Sequence, residues 1–381
     1  MNSTCAYIGA DIFDGTTRHK NCALVVENGH IAGIEPENEV TCEAIQLAGG
    51  LLTAGFVDVQ VNGGGGVMLN SAPTLKTIKT IRDAHLPFGT TSLLPTLITD
   101  TPARTALARA AAVEAMSVEG IIGLHLEGPH LSVARKGAHD PSLIRPMTAE
   151  DLSELCALAA TLPSLLVTVA PESTTPAQIA ALQAAGAVVS LGHTDADFAT
   201  ARAAGATCVT HLFNAMSQLE NRAPGVVGAA LDSGKMFAGL IADGIHVNPE
   251  TIKIALRAKK GPGRVFLVTD AMATIGTDLT ELHLGGRVIY RKNGRLTLED
   301  GTLAGADLDM ISAVRFMVKS IGLPVEEALR MASLYPAQLL GRAAEIGQLT
   351  RGSRADFLHL DAGLNIQGVW RGGKAALRPK P

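Results

Sequence analysis

The central part of the chain alternates short apolar runs with longer stretches of helical character. Eight runs rich in Val, Ile and Leu each end in polar or glycine residues, and the segments between them are often rich in alanine. The runs are Gly55–Gly63, Thr91–Ile98, Ile121–Pro129, Leu165–Glu172, Ala187–Asp195, Cys208–Met216, Met236–Gly244 and Arg264–Met272. Near-continuous apolar strands are typical of a parallel sheet that is buried on both faces. The pattern therefore predicts eight parallel strands that alternate with helices.

Several of the intervening segments carry signals for the start of a helix. Thr101 precedes a proline, and Thr148 and Thr175 are each followed three residues later by a possible capping partner, Asp151 and Gln178. The predicted helices include Thr101–Ser117, Thr148–Ala160, Thr175–Ala185 and Pro249–Lys260. This alternation predicts an α/β fold of the (β/α)8 TIM-barrel type. A doubly wound open sheet is the alternative, but no GxGxxG turn follows the first strand to support it.

The two ends of the chain differ from its centre. Residues 1–50 and 345–381 carry short alternating runs with turn signals, and we interpret them as one small β-sandwich domain built from both termini. Residues 51–344 then form the barrel domain. After the eighth strand, Glu281–Leu298 reads as a hairpin whose turn is Asn293-Gly294.

Composition and charge exclude several classes of protein. The net charge is −4, and only 18% of the residues are charged, so no basic surface for nucleic acid or membranes is expected. No apolar run is long enough to span a bilayer, and no signal peptide is evident. The five cysteines are odd in number and form no CxxC pair, which favours reduced thiols in a cytoplasmic protein.

Chemically active side chains cluster where the predicted strands end. Five of the run ends contain histidine or a carboxylate that we consider as candidates for chemistry. These segments are His125-Leu126-Glu127-Gly128-Pro129-His130, Gly192-His193-Thr194-Asp195, Thr210-His211-Leu212-Phe213-Asn214, Asp243-Gly244-Ile245-His246 and Val268-Thr269-Asp270. In a (β/α)8 barrel the carboxyl ends of the strands carry the active site. Packing alone does not explain so many polar groups there, because each buried charge needs a partner.

Three of these residues match a catalytic metal site. Glu127, His193 and His211 supply two imidazoles and one carboxylate from different strands, which is a standard set for zinc with one open position. Zinc would lower the pKa of a bound water to about 7. Asp270, on the last strand, could take the proton from that water and return it to a leaving nitrogen. Taken singly, each of these residues could be structural, but their joint occurrence favours metal-assisted hydrolysis of an amide.

The ordered motifs resemble those of the N-acetylglucosamine-6-phosphate deacetylases of the amidohydrolase superfamily. The similar segments are Gly55-Phe56-Val57-Asp58-Val59-Gln60-Val61-Asn62-Gly63, His125-Leu126-Glu127-Gly128-Pro129-His130, Lys136-Gly137-Ala138-His139, Gly192-His193-Thr194, Thr210-His211-Leu212-Phe213-Asn214-Ala215-Met216, Asp243-Gly244-Ile245-His246, Thr269-Asp270-Ala271 and Gly301-Thr302-Leu303-Ala304-Gly305. The resemblance covers nearly the whole chain, and the combination is far more specific than any one motif.

The resemblance implies a role for each matching residue. Glu127, His193 and His211 would bind the metal, and Asp270 would be the general acid/base, with His139 polarising the acetyl carbonyl. The sugar would be lined by Ala138, His139, Asn214, Ala215, Ala304, Gly305 and Ala306. Arg222 and His246 would contact the sugar phosphate, one of them from a neighbouring subunit, which implies a homodimer.

One departure from many amidohydrolases concerns the first strand. Where those enzymes carry His-x-His for a second metal, this chain reads Gln60-Val61-Asn62, and amides are poor zinc ligands compared with imidazole. The fourth strand end reads Ala170-Pro171-Glu172 and offers no bridging lysine. We therefore expect one divalent metal per subunit. Zinc is the first choice, although two histidines and one glutamate do not by themselves separate it from iron, manganese or cobalt.

These observations predict an enzyme that hydrolyses N-acetyl-D-glucosamine 6-phosphate to D-glucosamine 6-phosphate and acetate. A second hypothesis is an amidohydrolase that acts on another N-acyl amino sugar or on a cyclic amide. A third is a phosphosugar-binding barrel without catalysis. The third hypothesis is disfavoured because no expected metal ligand and no expected acid/base is missing from the sequence.

Overall fold

A computed structural model describes residues 4–377 of the 381-residue chain. The density of internal contacts separates it into two units. The first unit comprises the chain up to Asp58, His85–Ser92 and the chain from Met310 onward, and the second comprises Val59–Ala84 and Leu93–Asp309. The proposed division into residues 1–50 plus 345–381 and residues 51–344 stays a prediction, and residues 1–3 and 378–381 lie outside the described part.

Eight parallel strands form the predicted barrel sheet, and each pairs with the next one along the chain. The strands are Phe56–Val61, Thr90–Ile98, Leu124–Glu127, Leu165–Val169, Val188–Leu191, Cys208–Val209, Phe237–Leu240 and Val265–Leu267. A parallel bridge between Val61 and Ala271 joins the first strand to the segment that follows the eighth. The (β/α)8 prediction is confirmed, and the doubly wound alternative is wrong because its sheet would remain open at both edges.

Most barrel strands are shorter than their apolar runs predict, because the polar ends of the runs are loops. The fifth strand stops at Leu191 and the sixth at Val209, so that His193 and His211 each follow two residues later. These carboxyl-terminal loops lie at the end of the barrel where catalytic groups are found in this fold.

The helices begin where the capping signals predict. The side chain of Thr101 accepts a hydrogen bond from the Arg104 amide, and capping boxes form at Thr148 with Asp151 and at Thr175 with Gln178. The α-helices are Leu75–His85, Pro102–Glu114, Ala149–Thr161, Pro176–Ala184, Phe198–Ala203, Gly225–Asp232, Pro249–Ala258, Met310–Phe316, Val325–Ala332 and Leu334–Leu339. A π-helical turn, Met317–Ile321, extends the eighth of them.

Two sheets from both ends of the chain form the predicted small sandwich. The first has the order His30–Pro36, Cys22–Glu27, Thr4–Ile8 and Glu43–Gln46, and the second has the order Lys374–Leu377, Ile366–Arg371, Phe357–Leu360, Leu51–Ala54, Asp11–Phe13 and Arg18–His19. Tyr7, Leu24, Leu52, Phe357 and Trp370 belong to one buried apolar cluster between them. Burial of one face of each sheet stabilises this arrangement.

A further antiparallel sheet follows the eighth barrel strand, as the predicted hairpin requires. Its strands are Glu281–Leu284, Arg287–Lys292, Arg295–Thr297 and Leu303–Ala306. The turn residues Asn293 and Gly294 both have positive φ, at 52° and 71°, which fits a type I′ hairpin turn. In residues 4–377, no helix combines the length and the apolar character needed to cross a membrane.

Candidate active site

Three side chains meet at the carboxyl ends of the barrel strands. Glu127 Oε1 lies 3.2 Å from His193 Nε2 and 3.0 Å from His211 Nε2, and the two imidazole nitrogens are 3.1 Å apart. Ligand atoms that share a tetrahedral cation at about 2.0–2.1 Å lie about 3.3 Å from one another. The spacing and the chemistry of this Glu–His–His group therefore fit a single divalent cation.

The backbone at these positions is strained. His193, His211 and Asp270 have φ values of 48°, 31° and 50°, in the left-handed region that residues other than glycine seldom adopt. Each such residue costs about 1–3 kcal/mol, and such strain concentrates at functional sites because the surrounding structure must enforce it. All three residues follow within three positions of the end of a buried barrel strand.

A hydrogen bond fixes which nitrogen of His193 can act as a ligand. His193 Nδ1 lies 2.8 Å from the carbonyl oxygen of Arg135, which can only accept, so Nδ1 carries the proton and Nε2 presents its lone pair. His211 Nδ1 is buried and has no protein partner within residues 4–377. Both Nε2 atoms face Glu127, as metal coordination requires.

The electrostatics of the group are those of a buried anion between two imidazoles. Burial opposes ionisation of Glu127, but the contacts of its carboxylate with the imidazoles of His193 and His211 hold its pKa well below the ordinary value. Burial likewise opposes protonation of His211, yet the hydrogen bond to Glu127 outweighs it and raises the His211 pKa. A cation bound here would replace protons as the partner of the Glu127 carboxylate.

His139 lies beside the Glu–His–His group. Potential metal-coordinating atoms of Glu127, His139 and His193 all lie within 4.8 Å of one another, so His139 is close enough to contact a molecule bound at the group. The amide of Thr99 donates to His139 Nδ1 at 3.3 Å, so Nδ1 is an acceptor and the ring proton resides on Nε2. Burial holds the His139 pKa well below its ordinary value. His139 is therefore a neutral hydrogen-bond donor.

Asp270 is held by two side-chain amides, one from Gln60 in the first barrel strand and one from Asn62 directly after that strand. Asn62 Nδ2 donates to Asp270 Oδ1 at 2.6 Å, and Gln60 Nε2 lies 3.3 Å from the same oxygen and 3.1 Å from Glu127 Oε1. Burial, reinforced by the charge of Glu127, raises the pKa of Asp270 to about 6. A carboxyl group with this pKa can accept and return a proton near neutral pH.

A cavity of about 390 Å³ opens beside these groups. Most of the residues assigned from the sequence line it, namely Asn62, Glu127, Ala138, His139, His193, His211, Asn214, Ala215, His246, Asp270, Ala304 and Gly305. Ile98, Ile241, Met272 and Leu284 add apolar wall. The cavity thus combines convergent polar groups with an apolar lining, as small-molecule sites do.

Three of the assigned residues do not line the cavity. Gln60 is buried behind Glu127 and Asp270, and Ala306 is buried with its amide donating to the Asp270 carbonyl at 2.9 Å. Arg222 is exposed in the loop after the sixth strand. The assignment of Arg222 to the sugar phosphate stays a prediction.

The hydrogen-bond partners of the buried histidines gave no signal in the sequence. Thr99 determines which nitrogen of His139 carries the ring proton, although the two residues are 40 positions apart. The Arg135 carbonyl does the same for His193 across 58 positions. His125 alternates with Glu127 into the barrel interior, where it contacts the Val59 carbonyl at 3.0 Å, and its burial lowers its pKa to about 4. Such partners come from tertiary structure, so no local pattern points to them.

A buried Glu–His–His group with an adjacent carboxylate, at the carboxyl ends of (β/α)8 barrel strands, is the arrangement of metal-dependent hydrolases on this fold. The sequence model of the amidohydrolase family matches residues 51–376. The chain therefore belongs to the amidohydrolase family.

Known proteins are similar over nearly the whole chain. The N-acetylgalactosamine-6-phosphate deacetylase of Shewanella sp. (strain ANA-3) is 42% identical, over 96% of this chain and 94% of its own length. The N-acetylglucosamine-6-phosphate deacetylase of Haemophilus influenzae is 34% identical, over 93% and 94%. The crystal structure of the N-acetylglucosamine-6-phosphate deacetylase from Pasteurella multocida superposes with a TM-score of 0.95 at 36% identity, covering 99% of this chain and all of that one.

Proposed function

We propose that the protein is a hydrolase of linear amides that converts N-acetyl-D-glucosamine 6-phosphate to D-glucosamine 6-phosphate and acetate. The observation that carries the proposal is the convergence of Glu127, His193 and His211 beside Asp270 in one cavity. Relatives whose names state this activity support the substrate.

Glu127, His193 and His211 would hold one divalent cation per subunit, which we assign to zinc. When bound, the cation supplies Lewis-acid stabilisation of the amide carbonyl and lowers the pKa of water toward neutrality. Gln60 and Asn62 donate hydrogen bonds to the carboxylates instead of offering imidazoles, which supports a single metal.

Asp270 and His139 perform the remaining chemistry. Asp270 accepts a proton from the attacking water and returns it to the amine nitrogen as the carbon–nitrogen bond breaks. His139 donates a hydrogen bond from Nε2 to the acetyl oxygen, where negative charge develops. Ala138, Asn214, Ala215, Ala304, Gly305 and Ala306 are assigned to the sugar, and His246 is assigned to its phosphate.

The epimeric sugar, N-acetyl-D-galactosamine 6-phosphate, is the second candidate substrate. The relative at 42% identity is named for it, whereas the glucosamine enzymes cited above are 34% and 36% identical. The amide, the acetyl group and the phosphate are the same in both sugars, so the metal and acid/base groups would serve either one. Other N-acyl amino sugars and cyclic amides remain weaker alternatives.

A homodimer would complete the phosphate site if Arg222 enters the cavity of a neighbouring subunit. The exposure of Arg222 and its position outside the cavity of its own chain support this proposal. Mixing inactive Arg222→Ala and Asp270→Asn proteins tests it, because a mixed dimer would contain one complete site. Recovery of activity would support the shared site, and no recovery from fully exchanged subunits would oppose it.

The cytoplasmic location also remains a proposal. It is supported by the five cysteines, all of which are free thiols.

Acetate release from the two phosphorylated sugars and from unphosphorylated N-acetylglucosamine tests the substrate. Rapid release from N-acetylglucosamine 6-phosphate alone supports the first proposal. Faster release from the galactosamine epimer would favour the second candidate. Equal rates with and without phosphate would retain the hydrolase but remove the phosphate roles of Arg222 and His246.

A further inference from the structure

A carboxylate to which no role has been assigned contacts His246, one of the residues that line the cavity. Asp243 lies in the loop between the seventh barrel strand and the helix Pro249–Ala258. Its Oδ2 lies 2.6 Å from Nδ1 of His246, and the side chains of the two residues are only 9% and 7% exposed. This pair is separate from the Glu–His–His group and shares none of its residues.

Asp243 fixes both the loop and the ring. Its Oδ1 accepts hydrogen bonds from the amides of Ile245 and His246, each at 2.8 Å, while Oδ2 contacts the imidazole. Three hydrogen bonds thus converge on one carboxylate. Because Nδ1 is occupied, Nε2 is the ring nitrogen of His246 that can serve a ligand in the cavity.

The charge of Asp243 determines what that nitrogen can bind. Burial opposes ionisation of Asp243, but the contacts with His246 and the amides lower its pKa, so the carboxylate only accepts and Nδ1 donates. A ring in this state can donate to an anionic ligand only when Nε2 also carries a proton. The bound form is then an imidazolium between two anionic groups, which strengthens both hydrogen bonds.

We propose that Asp243 is a positioning residue that orients His246 and stabilises its positive charge for recognition of the substrate phosphate. The proposal rests on the proposed function for the identity of the ligand. It assigns no contact between Asp243 and the substrate, and it predicts an effect on binding of the phosphorylated sugar rather than on the hydrolytic step.

Asp243→Asn tests the proposal with little disturbance, because the amide oxygen can still accept from the two backbone amides. The KM for the phosphorylated sugar should rise about 10- to 100-fold, the range expected for loss of a charge-assisted hydrogen bond. The kcat should stay within about threefold, and bound metal should not change. Asp232→Asn, at an exposed carboxylate paired with Lys260, is the matched control and should leave both constants unchanged.

A double-mutant cycle separates positioning from a general structural effect. If Asp243 acts through the ring, Asp243→Asn should change KM less than about twofold when His246 is already Gln. An undiminished effect in that background would overturn the proposal. So would an equal loss of kcat on phosphorylated and unphosphorylated substrates.

Binding of inorganic phosphate and of glucosamine 6-phosphate to the metal-loaded protein, measured by calorimetry, keeps the test independent of turnover. Weaker binding to Asp243→Asn would support the proposal even if the wild type released no acetate, a result that would refute only the proposed function. Unchanged binding would overturn the role of Asp243, whether or not the wild type is a deacetylase.

Discussion

Two groups that combine a carboxylate with an imidazole border the same cavity, and they differ in the hydrogen-bond partner of the imidazole Nδ1. His193 donates Nδ1–H to the neutral carbonyl of Arg135 and turns Nε2 toward Glu127. His246 is held at Nδ1 by the charged carboxylate of Asp243. The carbonyl anchor leaves a lone pair on Nε2 of His193, which suits a cation, whereas the carboxylate anchor places a negative charge beside the ring of His246, in keeping with its proposed role in phosphate recognition.

The difference shows that residue type alone does not define a site. Histidine and a carboxylate occur in both groups. In the Glu–His–His group, three potential metal-coordinating atoms lie within 3.2 Å of one another, whereas the side chains of Asp243 and His246 form a pair. The atoms that His193 and His246 contact are the basis on which we propose a metal for the first group and the substrate phosphate for the second.

The largest effect is expected at Asp270, whose pKa depends on charges in both groups. Asp270→Asn should lower kcat about 10³-fold or more while metal content remains at the wild-type level. Metal analysis and acetate release on the same sample provide the measurement. Near-normal turnover would refute the acid/base role.

Glu127→Gln should separate the metal group from the phosphate group. Replacing this carboxylate should weaken metal binding more than about 100-fold, because even partners beyond the ligands themselves contribute 10- to 100-fold. Asp243→Asn makes the same chemical change in the other group and should retain the metal. Equal metal loss in both variants would contradict the distinction.

The pH dependence of kcat/KM should follow ionisation of Asp270. The raised pKa means that the carboxyl becomes protonated, and hence unable to act as a base, as the pH falls through about 6. A nearby bound cation lowers this pKa, so the acidic limb should lie at or below pH 6 and decline about tenfold per pH unit. An acidic limb centred above pH 7 would assign the essential base to another group.

A smaller effect is expected at Asn62, directly after the first barrel strand. Asn62→Ala removes the 2.6 Å hydrogen bond to Asp270, but Gln60 still contacts the same carboxylate. We expect kcat to fall about threefold to tenfold with unchanged metal content. The variant Gln60→Ala provides the comparison, since its contact with Asp270 is longer. Loss of metal from Asn62→Ala would show that this amide supports the metal group directly.

The sequence predicted the barrel because eight buried parallel strands must be apolar along nearly their whole length, a pattern that survives without tertiary information. The capping threonines were predictable because their partners lie three residues away. The predicted ends of the strands were less accurate. Residues such as His193 and His211 continue the apolar runs in the sequence, but they adopt a left-handed backbone conformation that a strand cannot contain.

The candidate site was predictable only in part. Glu127, His193, His211 and Asp270 are polar residues that end apolar strands, which is a local signal. The anchors of His193 and His139 are backbone or hydroxyl groups from distant loops, and these residue types occur everywhere on a protein. Gln60 and Asn62 were identified as replacements for metal ligands, but their hydrogen bonds to the two carboxylates required the structure.

Titration of the metal-free enzyme with zinc, followed by acetate release from N-acetylglucosamine 6-phosphate at each addition, tests the central claim most directly. Activity should rise linearly to one equivalent per chain and then level off. Full turnover without metal, or a linear rise to two equivalents, would contradict a single catalytic metal held by Glu127, His193 and His211.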